Sequence, residues 1–450
     1  MTLNPAIFRE YDIRGKYPDD LNRETAHDLG IALGTYYHQK GAERISLGHD
    51  CRLSYPVLKE ALISGLMESG ITVTDIGMVP TPLLYFSIVE LKLDGGIQIT
   101  GSHNPPEYNG FKICLGKSTI YGEEIQKIRH ILENDDFKKG DGSLEKADII
   151  APYLDYLSEN INPGGIKRKV VIDAGNGVGG LVAPEVYRSM GVEVDTLFCE
   201  PDGNFPNHHP DPTIPENLVH LKKRVEEISA DLGIAFDGDA DRIGVIDKEG
   251  SIIWGDQLMI IFSRDILSSN QGASIIGEVK CSQVLYDDIK NQGGKPIMWK
   301  AGHSLIKSKM KESGALFAGE MSGHLFFADR YFGFDDAVYA GARLLEILTT
   351  QDKSVRELLS GIPEMVNTPE IRMDCPDDKK FGIVKKLVEE FKKEYEVIDV
   401  DGARVLFDGG WGLIRSSNTQ PVLVLRFEAV NEESLEEIRS IFMEKLEKAF

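Results

Sequence analysis

Three times along this chain an apolar run stops on a polar, glycine-containing loop, with helical periodicity upstream of it. In the first copy, residues 46–50 read as the end of a strand. A helix is expected over 56–69, with Leu58, Ala61, Leu62 and Leu66 on one face and Gly70 as its stop. Residues 71–74 read as the next strand, and 95–100 as the strand that runs up to Ser102. The second copy has strands at 169–173, 192–195 and 231–236, the last ending at Asp237, and a helix over 183–190. The third has 274–277, 296–299, a helix over 303–312, and 315–318 leading to Gly319-Glu320. Apolar runs alternating with helical periods imply an α/β architecture. Because open α/β sheets hold ligands beyond the carboxyl ends of their strands, the three loops are expected to share one cleft.

A chain of 450 residues has room for three or four domains. Polar stretches at 135–148, 247–255 and 362–380 mark the boundaries. The last contains Pro363, Pro369 and Pro376 and reads as the clearest linker. The resulting division is 1–148, 149–252, 253–366 and 367–450. From about Phe381 the order of elements changes to helix, strands, a loop at Arg415, strand and helix. The N-terminal residues lack the basic start and apolar core of a signal peptide, and no apolar run is long enough for a bilayer. The five cysteines are scattered without C-x-x-C pairing, as expected of a reduced, cytosolic protein. A net charge of −22 excludes nucleic acid as a general partner, so an anionic substrate would need locally gathered cations.

The loops carry the chemistry. Thr100-Gly101-Ser102-His103-Asn104-Pro105 places a hydroxyl on a stiff turn, with Gly101 expected at positive φ and Asn104-Pro105-Pro106 blocking a helix. Such a hydroxyl suits a covalent intermediate; the competing reading is a turn held by its own Ser and Asn side chains. Asp237, Asp239 and Asp241 alternate, so an extended backbone would send three carboxylates to one side, a ligand set for Mg²⁺. An EF-hand is excluded, since Arg242 stands at its glycine and Lys248 at its glutamate. Arg415 and the following Ser416, Ser417, Asn418 and Thr419 join an arginine to hydroxyl and amide donors, a phosphate-binding set. Glu320, Ser322 and His324 offer acceptors and donors for sugar hydroxyls. Gly175-Asn176-Gly177-Val178-Gly179-Gly180, with Asp195 downstream, matches a dinucleotide fingerprint, but a nicotinamide site explains none of the other loops.

Taken in order, these loops resemble the α-D-phosphohexomutase family over essentially the whole chain. The likeness begins at Phe8-Arg9-Glu10-Tyr11-Asp12-Ile13-Arg14-Gly15 and continues through Glu107-Tyr108-Asn109-Gly110-Phe111-Lys112. Glu320-Met321-Ser322 is similar to the phosphomannomutase/phosphoglucomutase branch; the phosphoglucosamine branch commonly has glutamine where Met321 stands. The resemblance implies three related α/β domains with mixed sheets and a C-terminal α+β domain of the TATA-box-binding-protein type, all around a central cleft. It implies that Ser102 carries a phosphoryl group and that Mg²⁺ is held by Ser102 with Asp237, Asp239 and Asp241. A hexose 1,6-bisphosphate would serve as intermediate and activator. Glu320 and Ser322 would grip sugar hydroxyls, while Arg415, Ser417, Asn418 and Thr419 would hold the non-reacting phosphate. His103, Lys112 and His324 are candidates for acid/base work, and Arg14, Arg242, Lys280 and His303 for further contacts. Partners would be small sugar phosphates, of mannose or glucose, for a monomer or small homo-oligomer. The alternatives are a phosphoglucosamine mutase, a metal-dependent sugar phosphatase and a non-catalytic sugar-phosphate binder.

Overall fold

A computed structural model describes residues 4–418 and 420–449, so Thr419 lies outside the described residues. The chain falls into two compact units. One comprises the residues up to Leu258 together with Ser322–Leu358; the other comprises Met259–Met321 and the residues from Leu359 onward.

The first unit contains two mixed sheets. In one, the strand order is Ile13–Lys16, Tyr108–Leu115, Gly95–Ile99, Arg44–His49, Thr72–Met78, Leu144–Lys146. Its first two pairings are antiparallel and the rest parallel. Gly95–Ile99 is central and wholly buried, as a strand covered on both faces must be. The helices Arg23–Gln39 and Tyr55–Glu68 pack together over a core that includes Leu29, Leu33, Leu62, Leu66, Ile45 and Ile97. Asn22 caps the first of these helices, its side chain accepting from Thr25 N at 3.1 Å.

The second sheet runs Ile252–Ile253, Ile243–Asp247, Leu232–Phe236, Lys169–Asp173, Glu193–Leu197. Leu232–Phe236 is again central and buried, parallel to Lys169–Asp173 and antiparallel to Ile243–Asp247. The chain returns to this unit as the nearly buried helix Ala337–Thr350, capped by Asp336.

In the second unit, Lys295–Trp299, Ser274–Glu278 and Phe317–Gly319 pair in parallel in that order. The C-terminal sheet is antiparallel: Val366–Asn367, Val422–Ala429, Gly410–Ser416, Ala403–Phe407, Glu396–Ile398. Helices Asp377–Phe391 and Glu432–Glu447 pack against it, with Phe391, Leu387, Phe442 and Ile438 in the core. Four α/β sheets with their helices thus bear out the expected class.

Two local expectations are corrected. The proline-rich passage 362–380 is not a bare linker, since Val366–Asn367 and Ile371–Asp374 both pair with Val422–Ala429. Proline is tolerated between such short edge strands, where a missing N–H costs no ladder bond. Arg415 lies within the strand Gly410–Ser416 and not in the loop after it. None of the five cysteines is in a disulfide, and among the described residues no helix is long and apolar enough to cross a membrane.

Candidate active site

The strand Gly95–Ile99 leads into Thr100, and two residues later Ser102 is 2 % exposed. The expected positive φ falls on Ser102 itself, at 49°, and not on Gly101. A left-handed serine costs about 1–3 kcal/mol, so the surroundings must enforce it. Gly101 is small for a different reason: a Cβ there would meet Arg52 Cζ at 2.5 Å. The turn's own side chains take part, since Ser102 N donates to Thr100 Oγ1 at 2.8 Å. The Ser102 hydroxyl, however, donates to Asp237 Oδ2 at 2.9 Å, across 135 residues of sequence.

Asp237, Asp239 and Asp241 follow the central strand Leu232–Phe236, and all three are 0 % exposed. Each offers a carboxylate oxygen within 4.8 Å of the others. The backbone does not converge them by extended alternation. It turns, with Ala240 N donating to Asp237 O and Ala240 at φ 56°, while Asp237 Oδ1 accepts from Asp241 N and Arg242 N at 3.1 Å. Burial, then the neighbouring Asp241 and Asp239, push the Asp237 carboxyl well above the usual range. Asp239 Oδ1 and Asp241 Oδ1 are buried with no hydrogen-bond partner among the described residues. Buried carboxylate oxygens left unpaired are costly, and hard oxygen donors so arranged fit a small divalent cation.

Lys112 projects from the strand Tyr108–Leu115, beside Gly95–Ile99. Its ammonium bonds Asp239 Oδ2 at 2.6 Å and also Asp241 Oδ2. Burial alone would lower its pKa, but Asp239 and Asp241 more than offset this and hold it above the ordinary lysine value. His103 Nδ1 lies 3.1 Å from Ser102 Oγ. Burial, then Arg242 and Arg14, push its pKa well below the ordinary value, so the ring is neutral. Arg14 donates to Asn104 Oδ1 at 3.0 Å and pairs with Asp12.

Arg242 Nε donates to His324 Nε2 at 3.0 Å, so that nitrogen presents its lone pair and Nδ1 carries the proton. Nδ1 lies 3.1 Å from the buried Asp335 Oδ2 and 3.6 Å from Asp241 Oδ1. Asp241, His324 and Asp335 therefore form a second buried cluster of ligand-type side chains, with Asp241 shared between it and the aspartate loop.

The glycine turn after Lys169–Asp173 backs the aspartate loop. Val178 N donates to Gly238 O at 3.1 Å, and a Cβ at Gly177 would meet Gly238 O at 2.7 Å. Asp195 is bound by Arg224 at 2.8 Å. The dinucleotide reading is thereby replaced by a buttress.

In the second unit, Lys280 follows the strand Ser274–Glu278 and bonds Glu370 Oε2 at 3.2 Å, with Glu278 Oε1 at 3.7 Å. Glu320 follows Phe317–Gly319 and is 6 % exposed. Arg415 Nε donates to Asp401 Oδ2 at 2.8 Å, and Asp401 also accepts from Ala301 N at 3.1 Å. His303 opens the helix His303–Ser313, and Ser417 Oγ accepts from Gln420 N at 3.2 Å. Asn418 lies just beyond Ser417, and Ser322 belongs to the first unit.

Sequence reasoning missed Arg52, Thr81, Asp335, Glu370 and Asp401. Thr81 is buried and donates its hydroxyl to Asp239 Oδ2 at 2.5 Å.

Comparison with known proteins matches four domain models in order. They are phosphoglucomutase/phosphomannomutase alpha/beta/alpha domain I over 5–139, domain II over 151–250, domain III over 254–366 and the C-terminal domain over 370–445. The chain is 49 % identical over 446 residues to a phosphomannomutase/phosphoglucomutase of Pseudomonas aeruginosa, covering 99 % of this chain and 96 % of that one. It is 48 % identical over 448 residues to a phosphoglucomutase of Neisseria gonorrhoeae, covering 98 % and 96 %. A solved phosphoglucomutase/phosphomannomutase family protein from Burkholderia thailandensis superposes with a TM-score of 0.93 at 42 % identity, over 99 % of this chain and 98 % of that one. With every domain matched in sequence order and named relatives near half identity along its length, the chain belongs to the phosphoglucomutase/phosphomannomutase family.

Proposed function

We propose that this protein interconverts the 1-phosphates and 6-phosphates of glucose and mannose, with Ser102 as phosphoryl carrier and a hexose 1,6-bisphosphate as intermediate. The observation that carries the reading is a buried serine hydroxyl 2.9 Å from one of three clustered aspartates, two of which keep an unpaired oxygen. The names of the relatives from Pseudomonas and Neisseria support the choice of sugars.

In the first half-reaction a sugar hydroxyl oxygen forms a bond to phosphorus as the Ser102 Oγ–P bond breaks; the hydroxyl proton leaves to a base, and Ser102 Oγ takes a proton. The second half-reaction reverses this at the other end of the bisphosphate. Such transfers depend on positioning and charge neutralisation more than on covalent chemistry. Asp237, Asp239 and Asp241, with Ser102 or its phosphate, would hold Mg²⁺, which when bound supplies neutralisation of the transferring oxygens. Lys112, paired with Asp239 and Asp241, balances charge within the cluster. The neutral His103 beside Ser102 suits proton handling, with His324 as a second candidate. Arg14 and Arg242 gather positive charge near the serine. Glu320 and Ser322 are assigned to sugar hydroxyls, Lys280 and His303 to further substrate contacts, and Arg415, Ser417, Asn418 and Thr419 to the non-reacting phosphate.

Glucose 1-phosphate with a trace of glucose 1,6-bisphosphate and Mg²⁺ tests the reading. Glucose 6-phosphate should accumulate without release of inorganic phosphate, and Ser102→Ala should abolish this. Stoichiometric phosphate release would instead make the protein a phosphatase.

A further inference from the structure

Beneath the serine turn lies a side chain that the proposed chemistry does not use. Arg52 is completely buried, and its guanidinium makes five hydrogen bonds, matching its five N–H groups. Nε donates to Asp50 Oδ2 at 3.1 Å. Nη1 donates to the carbonyls of Pro105 at 2.5 Å and Tyr108 at 2.8 Å, and Nη2 to those of Ser102 at 2.8 Å and Asn104 at 2.5 Å. Four acceptors are thus backbone carbonyls of one short segment, 102–108.

Asp50 secures the turn from its other end. Its Oδ2 also accepts from Thr100 Oγ1 at 2.8 Å and Gly101 N at 3.2 Å, and its Oδ1 from Arg52 N at 2.9 Å. Phe205 covers the guanidinium at 5.2 Å. Convergent carbonyls repel one another, and a planar cation that cannot lose its proton is what holds them together. The same clamp explains why position 101 has no room for a Cβ and how a serine stays at φ 49°.

We propose that Arg52, held by Asp50, is a positioning residue for phosphoryl transfer. It fixes the left-handed backbone of Ser102 so that Oγ points at Asp237 in both half-reactions. The inference rests on the reading of Ser102 as phosphoryl carrier.

The test compares wild type with Arg52→Lys, which keeps a positive charge but lacks the planar fork. Melting temperature, kcat and KM for glucose 1-phosphate are read together with the rate at which labelled glucose 1,6-bisphosphate transfers label to Ser102. The expected result is a folded variant whose kcat and labelling rate both fall on the order of 100-fold, while KM stays within about threefold. A folded variant with wild-type kcat, or one that changes only KM, overturns the inference. Absence of label on the wild type would overturn the phosphoryl-carrier reading instead, and the two failures are thereby distinct. Should Arg52→Lys not fold, hydrogen exchange of the wild type decides. Amides of 100–108 should exchange at least about 100-fold more slowly than an exposed loop, and exchange at the exposed-loop rate removes the clamp.

Discussion

Lys112 Nζ sits 2.6 Å from Asp239 Oδ2 and also contacts Asp241, so one strand of the first sheet places a fixed cation inside an aspartate cluster on the second. Three buried carboxylates repel one another, and the lysine offsets part of that repulsion before any metal binds. Lys112→Met should therefore cost about 3–5 kcal/mol in chelator, the range for stranding a buried charge. Mg²⁺ should restore much of this loss and stabilise the variant more than it stabilises wild type. Denaturant unfolding with and without Mg²⁺ measures both, and a variant as stable as wild type in chelator would sink the idea.

Thr81 belongs to the same cluster from the N-terminus of the helix Thr81–Glu90. Its hydroxyl donates to Asp239 Oδ2, and its backbone N donates to Asp239 O at 2.9 Å. That pair of bonds fixes which oxygen of Asp239 is left for a ligand. Thr81→Val keeps shape and removes the hydroxyl bond, and should weaken Mg²⁺ binding by about 10–100-fold. The shift of melting temperature with Mg²⁺ concentration gives the affinity without an activity assay.

The parts of this site that lie on one loop were legible in the sequence. Strand ends at Ile99 and Phe236 follow from apolar runs, and the serine and aspartates stand directly beyond them. What holds those loops was not legible. Thr81 and Asp239 are 158 residues apart, and a threonine before a proline signals only a helix start. Arg52 sits in Asp50-Cys51-Arg52-Leu53-Ser54, a segment without a motif, and its backbone partners are carbonyls 50–56 residues on. Carbonyls carry no side-chain identity, so no motif could announce them. The backbone of the aspartate loop also escaped the pattern, because alternation fits a strand and a turn equally until φ at Ala240 is known.

Asp401 plays for Arg415 the part that Asp50 plays for Arg52. It fixes Nε of the guanidinium and also the backbone N of Ala301, just ahead of His303. If Arg415 holds the non-reacting phosphate, Asp401→Ala should leave the arginine mobile. KM for glucose 1-phosphate should then rise about tenfold, equivalent to about 1.4 kcal/mol, with little change in kcat. Steady-state kinetics separate the two constants; a fall in kcat alone would place Asp401 in another role.

Asp336 gives a prediction in pH. Its carboxylate caps the helix Ala337–Thr350 through Tyr339 N at 2.8 Å and accepts from Tyr331 and Tyr153 hydroxyls at 2.8 and 2.9 Å. Burial nevertheless outweighs these bonds and raises its pKa from 3.8 to about 6. The folded state thus binds this proton more tightly than the unfolded chain does. Its contribution to stability is fully present below the unfolded value and is lost as pH rises through the folded one. Asparagine caps equally well and does not titrate. Relative to Asp336→Asn, wild type should therefore lose about 2 kcal/mol between about pH 4.5 and about pH 7. Parallel denaturant titrations of the two proteins at both pH values measure the difference, and a gap that does not move with pH would show that Asp336 keeps an ordinary carboxylate pKa in the fold.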